Sequence, residues 1–121
     1  QYIKLIFKSM NGANMYSIRR VYKTKPGKAR EAALLLREIA DIYTEAGQRE
    51  KSLIYYNGGT LPGPKEELNR IYMHWSTEII DSPYRSDNKF PSMGGRYDKF
   101  RELLDDSDGP NSWVEFWEEI K

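Results

Sequence analysis

The chain has 121 residues, of which 19 are basic and 18 acidic, and it contains no cysteine. This length suits one domain with its own core, and the lack of cysteine excludes disulfides, thiolate metal sites and cysteine nucleophiles. The net charge of +1 argues against a nucleic-acid-binding protein, which normally carries a basic surplus. No apolar run reaches the ~20 residues of a membrane span, so we expect a soluble, cytoplasmic protein without membrane or nucleic-acid partners.

The first half of the chain predicts a strand, a long helix and a second strand. Residues 15–22, MYSIRRVY, alternate and are rich in aromatic and β-branched side chains, as strands are. Residues 28–47 carry an apolar stripe at helical spacing, and Gly47 is expected to end that helix. Residues 52–57, SLIYYN, predict the second strand.

The second half predicts two more strands and a short helix, separated by loops. Glycine and proline exclude regular structure from residues 58–67. A third strand is predicted over residues 69–77 and a loop over residues 81–95. The sequence RYDKFRELL predicts a helix over residues 96–104, and SWVEFWEEI predicts a fourth strand over residues 112–120.

The order strand, helix, strand, strand, helix, strand predicts an α+β, ferredoxin-like βαββαβ sandwich with a four-stranded antiparallel sheet. The strands then lie in the spatial order four, one, three, two. This places the first strand beside the fourth, so that Arg19 and Arg20 are expected to face Glu115, Glu118 or Glu119 across the ladder. Pairing between these strands therefore accounts for the separation of basic and acidic residues along the chain.

Both faces of the predicted sheet carry large apolar or aromatic groups. The third strand places Ile71, Met73 and Trp75 on one face, yet Tyr72 and His74 on the other. A two-layer fold leaves one face of its sheet to water, and such strands normally alternate sharply between apolar and polar residues. The pattern therefore predicts that a second copy covers the second face, giving a homodimer packed sheet on sheet.

Residues 1–14 do not fit this plan. Asn-Gly within them favours a hairpin with the first predicted strand, but that strand already has two neighbours. The segment therefore either reaches a sheet edge or the partner subunit, or it is an N-terminal extension outside the natural domain. We favour the extension, which leaves a dimeric α+β barrel domain over residues 15–121.

Three local patterns resemble a known family. They are YSIRRVYKTKPGK at residues 16–28, YNGG at residues 56–59 and NRIYMHW at residues 69–75. Together they resemble the NIPSNAP-like branch of the dimeric α+β barrel superfamily, which also contains the antibiotic-biosynthesis monooxygenases, and the likeness covers residues 15–121. The chain departs from the family in its longer loop at residues 60–68 and in the long segment before the second helix. The resemblance implies a dimer whose two sheets form a barrel, with a cavity in each subunit between sheet and helices.

The implied cavity would be lined by apolar side chains and tyrosines, although an ordinary core uses the same residue types. In monooxygenase and haem-degrading relatives a tryptophan late in the third strand lines the cavity, and Trp75 matches it. Those relatives also use an asparagine from the first strand, where this chain offers only Ser17, Arg19 and Arg20, which counts against oxygenase chemistry. The predicted ligand-binding residues are Ile18, Tyr22, Leu35, Ile39, Tyr43, Met73 and Trp75.

His74 and Arg20 are the candidate catalytic residues. His74, the only histidine, has the intrinsic pKa of a general base at neutral pH and could also serve as an axial haem ligand. It alternates with Trp75, however, so the two side chains point to opposite faces of the strand. This favours a hydrogen-bonded histidine in the dimer interface. Arg20 is a candidate polar group aimed into the cavity.

We expect no metal and no cofactor. Asp105, Asp106 and Asp108 precede Gly109 as in a calcium loop, but Leu104 would occupy the first ligand position. One histidine without cysteine disfavours zinc, and the glycine pairs match no nucleotide-binding motif.

Two classes of function remain open, and with them whether the protein is an enzyme. The first is a NIPSNAP-like dimeric barrel protein that binds a small apolar or aromatic molecule between sheet and helices. The second is a cofactor-free monooxygenase or isomerase acting on an aromatic small molecule, with haem binding as a further alternative. An open cavity with an inward polar group would favour the enzyme, and a collapsed one would favour binding or assembly. We favour the first class.

Overall fold

The four strands of one sheet and two helices account for most of the secondary structure in the computed structural model, which describes residues 4–5, 16–47, 51–77, 80–81 and 91–121. Each predicted strand and helix has a counterpart in it, but the prediction of a loop without regular structure over residues 58–67 is wrong at its end, where a 3-10 helix begins at Lys65 after Pro64. The elements in chain order are β1 Lys4–Leu5, β2 Tyr16–Lys23, α1 Ala29–Glu45, β3 Leu53–Tyr56, a 3-10 helix Lys65–Asn69, β4 Arg70–Thr77, β5 Ile80–Asp81, α2 Arg96–Glu102 and β6 Ser112–Glu118.

The main sheet has the strand order β3-β4-β2-β6, and every neighbouring pair is antiparallel. This is the predicted order and confirms the α+β, ferredoxin-like fold class. In the register, Ile18 lies opposite Trp75, while Arg19 lies opposite both His74 and Glu115. Residues opposite each other across a ladder project from the same face. Ile18 and Trp75 therefore share the face that the helices cover, and Arg19, His74 and Glu115 share the other, which we call the open face.

A second, two-stranded sheet is formed by β1 and β5, with Lys4 opposite Asp81 and Leu5 opposite Ile80. Part of the N-terminal segment thus pairs with the chain beyond β4, and not with β2. The predicted Asn-Gly turn and the predicted domain boundary at residue 15 lie outside the described residues, as do residues 82–90 of the predicted loop. The N-terminal extension stays a prediction.

Helix α1 lies over β3 and β4 and also contacts α2. Its apolar stripe is buried, and its small alanines allow the backbone to approach the sheet closely. The helix ends just before Gly47, whose φ of 74° is the left-handed conformation that glycine adopts most easily. No helix among the described residues has the length and apolar character needed to cross a membrane. The buried residues of α1 are Ala29, Ala32, Ala33, Leu36, Ile39, Ala40 and Tyr43.

Helix α2 closes the core at the end of the sheet where β2 leads into α1. Its Phe100 is 2% exposed and meets Tyr22 edge to face, with ring centroids 5.0 Å apart. Just after β2, the hydroxyl of buried Thr24 donates a hydrogen bond to the carbonyl oxygen of Asn69 at 3.0 Å. Thr24 also forms a β-bridge with Leu104. These contacts fix the chain after α2 against the sheet.

Replacing Leu36 by alanine should lower the free energy of unfolding by about 2–5 kcal/mol, because it leaves a cavity in the core beneath α1. Leu36 is 2% exposed, whereas Leu34 on the same helix is 53% exposed. Leu34→Ala is therefore the matched control and should change the free energy by less than about 0.5 kcal/mol. Urea titrations of the three proteins measure both values. Equal losses in the two variants would contradict this orientation of α1.

Candidate functional site

The seven predicted ligand-binding residues come from β2, α1 and β4, and the structure brings four of them together around one pocket. Tyr22, Ile39, Tyr43 and Met73 line it. Ile18 and Trp75 lie beside it in a neighbouring cluster with Tyr16 and Val114. Leu35 packs against the core without lining the pocket. The remaining lining residues are Leu36, Ala40, Tyr97 and Phe100.

The pocket is almost filled by its own side chains. Its free volume is about 10 Å³, which is room for about one water molecule. Tyr22 and Tyr43 are buried, while Tyr97 is 40% exposed and forms the accessible side. Tyr97 and Phe100 were not among the predicted lining residues. Their helical spacing was visible in the sequence, but nothing in that spacing placed α2 against Tyr43.

Arg20 lies on the helix-covered side of the sheet, next to this pocket. It is opposite Met73 on β4 and Val114 on β6. Its Nη2 donates a hydrogen bond to the Ser112 hydroxyl at 3.2 Å, and its guanidinium carbon lies 5.4 Å from the centre of the Tyr22 ring. Strand alternation thus makes the expectation that Arg20 faces a glutamate of β6 wrong.

His74 projects from the open face, away from the pocket and from Trp75. Its ring meets Tyr55 edge to face at 5.1 Å between centroids and Tyr72 at 6.3 Å. Burial lowers the pKa of His74, and the nearby Arg19 cation lowers it further. His74 is therefore neutral at physiological pH. The two candidate catalytic residues, His74 and Arg20, lie on opposite faces, so they do not form one catalytic site.

An ion pair organises the open face. Arg19 Nη2 lies 2.7 Å from Glu115 Oε1, as the predicted pairing of these strands implied. The indole nitrogens of Trp113 and Trp117 donate hydrogen bonds to the two oxygens of the same carboxylate, at 2.8 and 3.0 Å. The Arg19 guanidinium in turn lies over the rings of Tyr72 and Trp117, at 4.6 and 5.3 Å.

The hydrogen bonds control the charge of Glu115. Partial burial by itself would raise the pKa of this carboxyl, but the bonds from Trp113, Trp117 and Arg19 outweigh it and lower the pKa. Glu115 is consequently an anion throughout the physiological range, and its charge is matched by Arg19. The sequence predicted the strand pairing but not the two indole donors.

Large side chains surround this network and remain in contact with water. Leu53 is 56% exposed, Tyr55 50% and Trp117 54%, and the strand register places all three on the open face. Val21, which lies between Tyr72 and Trp113 in the register, is only 1% exposed. The open face therefore presents exposed apolar and aromatic side chains around a charge pair that is neutralised within the chain.

The acidic turn before β6 uses its carboxylates internally. Asp105 accepts hydrogen bonds from the backbone nitrogen and the hydroxyl of Ser107 at 2.9 and 2.5 Å. Asp106 accepts one from Asn111 at 2.6 Å. Within the described ranges, no three acidic or histidine side chains are grouped so that they could hold a metal ion.

No protein-family model matches the chain, and no curated protein matches it. Among solved structures, it is similar to a proposed antibiotic biosynthesis monooxygenase from Bordetella bronchiseptica. The two proteins are 11% identical with a TM-score of 0.48, over 90% of this chain and 100% of that one. The fold assignment rests on this chain's own strand order and register, and the resemblance to the NIPSNAP-like branch stays a prediction.

Replacing Glu115 by glutamine should lower the free energy of unfolding at pH 7 by about 1 kcal/mol, because three donors lose a charged acceptor. The lowered pKa of Glu115 makes the folded state bind fewer protons than the unfolded chain. Its stabilising effect is thus present above the ordinary pKa of 4.5 and is lost as the pH falls through the lower folded value. Urea denaturation of the wild type and Glu115→Gln at several pH values measures this difference in the free energy of unfolding. Glu119→Gln, an exposed control beyond β6, should match the wild type throughout.

His74 predicts a pH dependence of the same direction, at a higher pH. Because its pKa is lowered from 6.5 in the folded protein, the unfolded chain takes up a proton at a higher pH. The free energy of unfolding should therefore fall as the pH drops below about 6.5. We expect the wild type to lose more stability than His74→Gln between about pH 7.5 and pH 5.5, as followed by thermal melts. Parallel pH profiles for the two proteins would contradict this.

Proposed function

We propose that this chain is a NIPSNAP-like dimeric barrel protein. Two copies pack through their open faces, and each copy holds a small apolar or aromatic molecule between its sheet and its helices. The observation that carries the proposal is the open face itself, where Leu53, Tyr55 and Trp117 are each half exposed on one side of the sheet.

The apolar character of the open face supports an interface. Contiguous exposed apolar surface of this kind marks interaction sites, and burying it gains roughly 25 cal/mol per Å². Burying the charges at its centre costs desolvation energy. That cost is partly offset because Arg19 and Glu115 pair with each other and the two indoles donate hydrogen bonds to the carboxylate oxygens. Burial of a polar group is costly mainly when that group is left without a partner.

A second copy is the partner that fits this surface best. In a two-fold dimer the same patch meets itself, so a face with a large net charge would repel its copy. Here the cation of Arg19 is balanced by Glu115, and the cation of Arg70 is balanced by Glu67. Lys23 also lies on this face, opposite Arg70, and donates a hydrogen bond to the backbone oxygen of Asp108. The charges at the centre of the open face are thus balanced and one cation lies at the end of β2, which is compatible with self-association.

The pocket beneath the helices is the proposed ligand site. Its walls combine aromatic rings and Met73 with the hydroxyl-bearing Tyr22, Tyr43 and Tyr97, a composition that suits an apolar or aromatic ligand held by a few polar groups. Because the free volume is about 10 Å³, the ligand has to displace a wall. Tyr97 is the candidate, since it is 40% exposed and belongs to the seven-residue helix α2.

Catalysis on an aromatic molecule, as in a cofactor-free monooxygenase or isomerase, is the second candidate function. One observation favours it: Arg20 is a charged group on the same side of the sheet as the pocket. His74 cannot serve that site because it lies on the open face. We place the activity in the cytoplasm, since a chain without cysteine suits a reducing compartment.

Replacing Leu53 by glutamate should break the dimer, because it places an unpaired charge in the buried interface. Light scattering after size exclusion should give the wild type twice the chain mass of 14.2 kDa. The variant should need at least about tenfold more protein to dimerise. Leu34→Glu is the matched control, since Leu34 is 53% exposed on the outer side of α1 and should leave the dimer intact.

If the wild type has the mass of one chain at all accessible concentrations, the proposed dimer interface is wrong. Equal dimerisation of the Leu53 and Leu34 variants would also show that it is wrong. Native mass spectrometry of the purified protein, followed by denaturation, tests the ligand half separately, because a molecule bound in the pocket adds mass to the native species and is then released.

A further inference from the structure

We infer that the molecule held between the sheet and the helices is a monocarboxylic acid, and that Arg20 binds its carboxylate. This deepens the proposed function and rests on it. The inference starts from a contrast between Arg20 and the other arginines of the chain.

Five arginines in the described part of the chain are half buried, and four of them have a carboxylate partner within the chain. Arg20 is the fifth. Its contacts are with the Ser112 hydroxyl and the Tyr22 ring, both uncharged. The four paired residues are Arg19 with Glu115, Arg37 with Asp41, Arg70 with Glu67 and Arg96 with Glu38.

The surroundings of Arg20 make this lack of a partner costly. The opposing residues on either side are Met73 and Val114, and the neighbour on the same face of β2 is Ile18, which is 2% exposed. A charge moved toward such an apolar environment loses hydration that no ion pair replaces. Arg20 is only partly buried, so its guanidinium remains accessible to an external anion.

The position of Arg20 beside the pocket indicates that the anion has an apolar body with the charge at one end. Met73, opposite Arg20, and Tyr22, under its guanidinium, both line the pocket. An acid whose apolar body enters the pocket would therefore bring its anionic end toward Arg20. A single compound of this kind would pack against the apolar walls of the pocket and form an ion pair with Arg20.

The donor set favours a carboxylate over a phosphate. A guanidinium offers two parallel N–H groups that match the two oxygens of a carboxylate, and the Ser112 hydroxyl beside it supplies one further donor. Among the described residues, the pocket lining contains no lysine or arginine, so Arg20 supplies the positive charge beside it. A single positive charge matches a monoanion, whereas a phosphate dianion would be left partly uncompensated.

The test uses 3-phenylpropionate and its neutral amide, 3-phenylpropionamide, as probes of the full-length protein in isothermal titration calorimetry. The wild type should bind the acid at least about tenfold more tightly than the amide, the usual effect of one charge-assisted hydrogen-bond pair. Arg20→Gln should bind the acid as weakly as the amide. Arg30→Gln, at an exposed position on α1, is the matched control and should keep the preference for the acid.

The other outcomes separate this inference from the proposed function. If acid and amide bind equally and Arg20→Gln changes neither affinity, the ligand is not recognised through a carboxylate. The proposal of an apolar pocket would then still stand. If neither probe binds at about 1 mM while the protein still dimerises, both the carboxylic-acid ligand and the pocket as a ligand site are wrong. The proposed dimer would be unaffected. Equally tight binding of inorganic phosphate at Arg20 would overturn the choice of a carboxylate.

A stability measurement distinguishes a binding role from a structural one. If Arg20 served the fold, removing it would destabilise the protein as removing a buried partner does. We expect Arg20→Met to keep or raise the melting temperature while losing the preference for 3-phenylpropionate over its amide. A clear fall in melting temperature would assign Arg20 to the fold and overturn its role as a ligand anchor.

Discussion

The antiparallel register of β2 between β4 and β6 is the constraint on which the rest of the molecule depends. Side chains alternate along a strand, so the register decides which residue of each pair faces the helices and which faces away. A shift by one residue would exchange the two faces. It would place Ile18, which is 2% exposed, in water, and it would bring Arg19 into the core.

Two adjacent arginines illustrate what this register does. Arg19 and Arg20 carry the same charge, yet Arg19 meets Glu115 and the aromatic rings of the open face. Arg20 contacts Ser112 and the ring of Tyr22 and has no carboxylate partner among the described residues. Arg19 is paired within the chain, which offsets part of the cost of burying its charge. Arg20 keeps a charge on an apolar face, and we therefore propose that it binds an external anion.

The two faces consequently have separate proposed roles. The open face, with His74 and the indoles around Glu115, is suited to contact with a second copy. The opposite face, with Arg20 beside the pocket, is suited to a small ligand. A histidine in the middle of an aromatic strand is an obvious catalytic candidate, but its face separates it from the pocket by the thickness of the sheet, and its lowered pKa has a local cause in burial and Arg19.

Periodicity along the sequence determined the strands, the helices, their spatial order and the adjacency of the first and fourth predicted strands, because each depends on residues at short, regular spacing or on a single topology rule. The register that pairs Arg19 with Glu115, and not Arg20 with a glutamate, came from the structure. Periodicity also placed His74 and Trp75 on opposite faces. Only the tertiary structure decided that α2 brings Tyr97 against the pocket and that the pocket is nearly filled. Spacing within a helix says which residues share a side, but the free volume between two elements depends on how all their side chains pack together.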